Sequence, residues 1–322
     1  MIQTTSRRKP LHGIIFVTYV LFILLLGSVL CAADAKPPRI LVISAFDKEL
    51  TKLLSEAQIT QTNVVHGRQS YVGTLAGQPV VLALSGVSMV NAAITAQSLF
   101  DTYNIRLVVF SGIAGGVNPS LHVGDVTVCA QWGSYQEQAF ARASGDGWDA
   151  GFHKGNFANF GMMFPHDTSV VSPGAKPGEI EKRFWFPVDT QALEAARVVA
   201  SKVTLAACTA EGSCLDYKPI IVIGGNGVSG PTFVDNAEYR AYVWETFHAD
   251  ALDSETAAVA VAAYVNQIPY IAFRSLSDLA GGGTGVNKIR IFGSLAAENS
   301  ARVVIAFLGA LPAPAETDTV KK

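Results

Sequence analysis

Histidine and cysteine are scarce in this chain, six and four among 322 residues. The six histidines show none of the spacings that gather metal ligands, so no metal site is expected. Beyond the first 35 residues, lysine and arginine form no basic stripe, which removes the electrostatic footprint of a nucleic-acid binder. There is no fixed-period repeat, which excludes a solenoid or propeller. Neither the dinucleotide fingerprint nor the P-loop is present, and no cofactor is expected.

The first 35 residues read as a targeting segment. Arg7, Arg8 and Lys9 form a basic start, IIFVTYVLFILLLGSVL an apolar run, and Ala33-Asp34-Ala35 a small-x-small cleavage site. Export to a periplasmic or extracellular space is the expectation. An uncleaved anchor is the alternative, because the run borders on the ~20 residues that span a bilayer. Leu30 before Cys31 is a poor match to a lipoprotein signal. Cleavage removes Arg7, Arg8, Lys9 and Asp34 and takes the formal charge from −2 to −4. The mature chain is long enough for one large domain with its own core, expected over 36–311. The tail at 312–322, PAPAETDTVKK after Leu311, is polar and proline-rich, and disorder is expected there.

Within the domain, strand and helix patterns alternate, which defines the α/β class. RILVISAF reads as a first strand and Asp47–Glu56 as a helix. QPVVLALSGVSMVNAAITAQSLFDTY reads as strand, turn and helix, and RLVVFSGIAGG as a strand ending in a glycine-rich turn. From Trp132 to about Pro187 the chain shows little periodicity and reads as a long irregular insertion. A helix is expected over 191–206. KPIIVIGGNGVSGPTFVDN reads as one strand leaving the sheet through a bend at Phe233. Cys208 and Cys214 bracket a short polar loop and are expected to pair in an oxidising compartment. Cys129, in an apolar run, reads as a buried thiol.

The stretch from Leu252 to Asp278, LDSETAAVAVAAYVNQIPYIAFRSLSD, places carboxylates at both ends of a helix and strand unit. Ligands of open α/β sheets sit at carboxyl ends of strands, which is where Glu49 and Asp278 also fall. Each residue has a bland alternative when taken singly. Asp253 suits a helix cap, Glu49 and Glu255 suit first-turn carboxylates, and Phe233 suits a core aromatic. The glycines at 281–283 and 285 suit either a lid or a plain linker.

Six segments in order, ISAFDKEL, LSGVSMVNAA, SGIAGG with VGDV, VSGPTFV, LDSETAAVA and RSLSD, resemble the purine nucleoside phosphorylase and uridine phosphorylase superfamily. Within it, the chain is similar to the 5′-methylthioadenosine/S-adenosylhomocysteine nucleosidases. The insertion and the cysteine loop look more like the secreted branch that includes plant vegetative and bark storage proteins. The resemblance implies a three-layer α/β/α sandwich with a mixed central sheet, and a homo-oligomer. It implies that Glu49 activates the attacking water, Glu255 hydrogen-bonds the ribose hydroxyls and Asp278 protonates the purine at N7. Phe233 stacks on the base and the Val234 backbone meets its edge. Ser85, Arg274 and Ser277 fall among polar contacts around the site, for which ordinary strand-end hydrogen bonding is the alternative. The implied partner is a small purine nucleoside.

Two departures bear on function. The first strand-to-helix turn, AFDKEL, lacks the arginine with which phosphorylases of the family hold phosphate, so hydrolysis is expected over phosphorolysis. Ser254 stands where the family usually has methionine before the ribose glutamate. That change keeps a non-catalytic, storage-like nucleoside binder open as the alternative.

Overall fold

The computed structural model describes residues 36–313 other than 154 and 175. The expected leader at 1–35 and the tail beyond residue 313 lie outside the described residues. The first strand, β1 (Arg39–Ser44), is a continuous apolar run, as expected of a parallel strand covered on both faces. Ile40 and Val42 meet one helical layer and Leu41 and Ile43 the other. Helix α1 (Asp47–Glu56) follows directly. An antiparallel meander comes next, β2 (Gln58–Val65), β3 (Arg68–Leu75) and β4 (Gln78–Leu84). Helix α2 (Met89–Thr102) leads into β5 (Ile105–Gly116), the strand on which the sheet turns.

The sheet is completed by β6 (Val126–Val128), β7 (Gln131–Ser134), β8 (Trp185–Pro187), β9 (Ile221–Ile223), β10 (Asn226–Ser229), β11 (Ala249–Asp253) and β12 (Tyr270–Asp278). Its twelve strands run β8-β7-β10-β11-β5-β1-β4-β3-β2, with β12 joining β5 and β6, and β9 joining β6. Pairing is mixed. β1 is parallel to β4 and β5, β12 is parallel to β5, and β11 is antiparallel to β5. One face is covered by α1, α3 (Thr190–Ala200) and α6 (Ile289–Ala310), the other by α2 and α5 (Thr256–Val265). This is the expected three-layer sandwich. The alanines of α5 let it lie close on α2, where Ala92 and Ala96 meet Ala257 and Ala260 in one cluster. Helix α4 (Ala237–Phe247) instead packs an aromatic cluster in which Phe184 and Phe247 stack.

Four expectations are corrected. SGIAGG is not a turn: β5 continues through it, paired residue by residue with β12 from Ser111 to Ala114 and then, past a register shift at Ser277, at Gly115 with Asp278. Its glycines serve close approach instead of chain reversal, as the site shows. The strand expected after Pro219 is two, β9 and β10, broken at Gly224 and Gly225, whose φ angles of 110° and 71° suit glycine. The 132–187 segment is not irregular throughout, since short paired strands run through it. β7 and β8 belong to the main sheet, with Trp132 and Phe186 fully buried. Between them lie three antiparallel pairs of strands only three or four residues long, too short to leave a period in the sequence. Helix α3 stops at Ala200, six residues early, where a turn from Val199 to Lys202 ends it before β-branched Val203 and Thr204. Cys208 and Cys214 form the expected disulfide, and Cys129 is a buried free thiol.

Candidate active site

At the carboxyl ends of β1, β5, β11 and β12 lies a cavity of about 200 Å³. Glu49, Glu255 and Asp278 all line it, with Phe233, Val234, Ser254 and Ser277. Residues more than two hundred positions apart are therefore brought to one space.

Glu49 sits in the first turn of α1 and is 1% exposed. Its Oε2 accepts from the backbone N–H of Ala45 (2.6 Å) and Phe46 (3.4 Å), so the bland helix-start role is real. Its Oε1 reaches across to β5 and accepts from Ile113 N–H at 2.7 Å. Burial pushes its pKa from 4.5 up to about 7, although the Arg274 guanidinium and the backbone donors oppose the rise. A carboxyl in that range exchanges a proton near neutral pH.

Glu255 is the residue at the start of α5, and its Oε1 accepts from Ser88 N–H at 2.9 Å. Ser88 has φ 97°, a region that non-glycine residues rarely occupy. Holding it there costs on the order of 1–3 kcal/mol, and the result is a backbone N–H aimed at Glu255. Burial, then the neighbouring Asp253, raises the Glu255 pKa, with Arg274 opposing. Asp278 ends β12. Its Oδ2 accepts from Ser277 Oγ (2.8 Å) and its Oδ1 from Ala280 N–H (2.8 Å). Burial is the main reason that its pKa too is raised.

Arg274 does not line the cavity. It is fully buried behind it, with its guanidinium 4.0 Å over the Phe110 ring. Nη2 lies 2.7 Å from Asp253 and 3.5 Å from Glu255, and Nη1 3.6 Å from Glu49. One cation thus holds three carboxylates from three elements. Gly112 makes this possible, since a Cβ there would fall 2.1 Å from Arg274 Nη1 and 2.4 Å from Glu49 Oε1. Gly112→Ala is therefore expected to destabilise by about 1–3 kcal/mol, the usual range for overpacking. Urea unfolding of the two proteins measures this.

Asp253 is the residue whose importance sequence reasoning missed. Its carboxylate accepts from the N–H of Glu255 and Thr256, as a helix cap would, and also from Ser229 Oγ at 2.5 Å and from Thr256 Oγ1. A cap pattern was visible in the sequence; the ion pair to Arg274 was not. Ser85 is the reverse case. It is fully buried, its hydroxyl donates to the Gly86 carbonyl at 2.9 Å, and it does not line the cavity. Strand-end hydrogen bonding accounts for it. Ser277 lines the cavity and holds Asp278, while Phe233, 64% exposed, stands at the mouth instead of in the core.

A mixed sheet between two helical layers, with its acidic cavity at the strand ends, defines a protein of the nucleoside phosphorylase fold. Residues 39–309 match the family described as the Phosphorylase superfamily, and the chain belongs to it. It is 28% identical over 242 residues to a 5′-methylthioadenosine/S-adenosylhomocysteine nucleosidase of Mycobacterium bovis, covering 75% of this chain and 85% of that one. It is 27% identical over 256 residues to bark storage protein A of Populus deltoides, covering 78% and 80%. Among solved structures, the Neisseria meningitidis 5′-methylthioadenosine/S-adenosylhomocysteine nucleosidase with methylthio-immucillin-A matches in fold at TM-score 0.63 and 24% identity, over 85% of this chain and 99% of that one. The futalosine hydrolase of Helicobacter pylori does so at 0.63 and 20%, over 85% and 98%.

Proposed function

We propose that the protein is an exported nucleosidase that hydrolyses the N-glycosidic bond of a purine nucleoside or 5′-thionucleoside to free base and sugar. The observation that carries this reading is the convergence of Glu49, Glu255 and Asp278 on one cavity. Breaking the bond builds positive charge on the ribose and negative charge on the departing base. Buried carboxylates beside the sugar and a protonated acid beside the base therefore favour the transition state over the ground state.

In this reading, ionised Glu49 takes a proton from water as it attacks the anomeric carbon, and Glu255 accepts from the ribose hydroxyls. Asp278, whose pKa burial raises, donates in its protonated form to N7 of the leaving base. Phe233 stacks on the purine at the mouth, and the Val234 backbone meets its edge. Water, not phosphate, is the nucleophile, because no lysine or arginine is among the residues that line the cavity, within the described residues. The Cys208–Cys214 disulfide supports an oxidising compartment. Val87, just before α2, and Val90 and Ile94 on it are exposed apolar residues that continue from the cavity lining, which supports a homo-oligomer.

Release of free base from a panel of nucleosides, with and without phosphate, tests the reading. Turnover of purine nucleosides without phosphate is expected; a strict phosphate requirement would replace hydrolysis with phosphorolysis. The pH profile carries a sign. Glu49 must be ionised to act, so kcat/KM is expected to fall tenfold per pH unit below about 7. Asp278 must be protonated, so an alkaline limb follows above its own raised pKa. An acid limb near pH 4.5 would contradict the assignment of Glu49.

Ser254 on the cavity wall and the likeness to bark storage protein A favour one second reading, a pocket that binds purine without turnover. Adenine binding with no base released from any nucleoside would establish it.

A further inference from the structure

The loop after β12 returns to Asp278 through Asn287, whose side chain makes three contacts. Its Oδ1 accepts from Ile289 N–H at 3.0 Å, at the first turn of α6. A backbone N–H can only donate, so this contact settles which end of the amide is which. The NH2 end then points away from α6, where Nδ2 lies 3.0 Å from Asp235 Oδ1 and 3.3 Å from Asp278 Oδ1. An amide nitrogen carries two hydrogens, one for each carboxylate. Asp235 directly follows Phe233 and Val234, and its neighbour Asn236 donates its N–H to Ala280 O at 3.0 Å. The bend that would hold the base and the strand end that carries the acid are therefore joined at one place.

Resting on the nucleosidase reading, we propose that Asn287 and Asp235 are positioning residues for the proton donor. The Asn287 amide, oriented by α6, fixes Asp278 Oδ1 and leaves Oδ2 as the oxygen that carries the proton. Asp235 ties that arrangement to the base-binding bend. Oδ1 is occupied by two N–H donors, from Ala280 and Asn287. Among the described residues Oδ2 faces only the Ser277 hydroxyl, which can reverse its role because Oγ also lies 3.3 Å from Ala114 O. When Asp278 is protonated on Oδ2, Ser277 can turn its hydrogen to that carbonyl.

The two residues act on Asp278 in opposite directions. The Asn287 N–H favours the ionised acid, whereas the Asp235 charge disfavours it. The other charged groups nearby are Arg240 of α4, which donates to the carbonyls of Gly116 and Asn118, Lys288 at the start of α6, and Glu49 and Glu255 across the cavity. None of these bonds to Asp278 in the contacts described.

The test is the titration midpoint of Asp278, read by carbon-13 NMR of labelled aspartate and assigned by loss of the signal in Asp278→Asn. Asn287→Ala is expected to move the midpoint up, and Asp235→Asn to move it down, each by roughly half a pH unit or more. The second shift should shrink in 1 M salt, because Asp235 is exposed and its charge is screened. The alkaline limb of kcat/KM should follow both shifts. Midpoints that stay put, or that move in the same direction, overturn the inference even if nucleosides are turned over. Opposite shifts uphold the bridge even if the wild type releases no base, in which case it is the nucleosidase reading that fails.

Discussion

Glu49→Gln is expected to lower base release by about 10²–10⁴-fold, the usual contribution of a positioned general base. The amide keeps the shape of the side chain but cannot accept the proton of the attacking water. It also presents an NH2 group where the carboxylate accepts from Ala45 and Phe46 on one side and Ile113 on the other. At least one of those buried donors loses its acceptor, at a cost of about 1–3 kcal/mol. A second consequence separates this loss from simple damage. Because folding raises the Glu49 pKa, its protonated form contributes stability that is complete below about 4.5 and lost as pH rises to about 7. The variant should lack that slope. Steady-state rates and melting curves between pH 4 and 8 measure both; a variant with wild-type turnover refutes the role of Glu49.

Arg274→Met carries the largest expected effect on stability. The methionine fills much of the volume but leaves Asp253, Glu49 and Glu255 buried without their shared cation. Breaking a buried pair by removing one partner costs about 3–5 kcal/mol, and here three carboxylates lose the same partner. Glu49 and Glu255, whose pKa values Arg274 holds down, are expected to take up protons instead, so the variant should recover part of its stability as pH falls from 8 to 5. Arg274→Lys restores a charge but not the planar fork that reaches three acids together, and should recover only part of the loss. Urea midpoints at the two pH values check this. An Arg274→Met protein as stable as wild type at pH 8 would show that the cation is not what holds the carboxylates together.

Much of the site was legible in the sequence because strand ends and helix starts carry chemical marks. Glu49 and Asp278 follow apolar runs, and Glu255 opens an alanine-rich helix, so local pattern placed each on the ligand side of the sheet. Their convergence was read from a resemblance in the order of six segments; no single period or spacing contains it. The limits are equally physical. Gly112 looks like a turn residue, yet it sits in a strand, and it is glycine there because Arg274 and Glu49 occupy the space where its Cβ would be. Asp253 looks like a cap, and is one, but its partner Arg274 lies 21 positions away on another strand. The strained Ser88 and the Asn287 bridge are features of backbone angle and side-chain orientation, which composition does not encode. The short strands of the 132–187 segment escaped notice because three or four residues show no alternation.

The central claim is that three acids meet around one bond between sugar and base, and a crystal structure with adenine and a ribose analogue bound tests it most directly. The account predicts Asp278 within hydrogen-bond reach of the purine N7, Glu255 on the sugar hydroxyls, and Glu49 on a water facing the anomeric carbon. A purine seated elsewhere, or in this cavity with Asp278 and Glu49 both out of reach of the ligands, would contradict it.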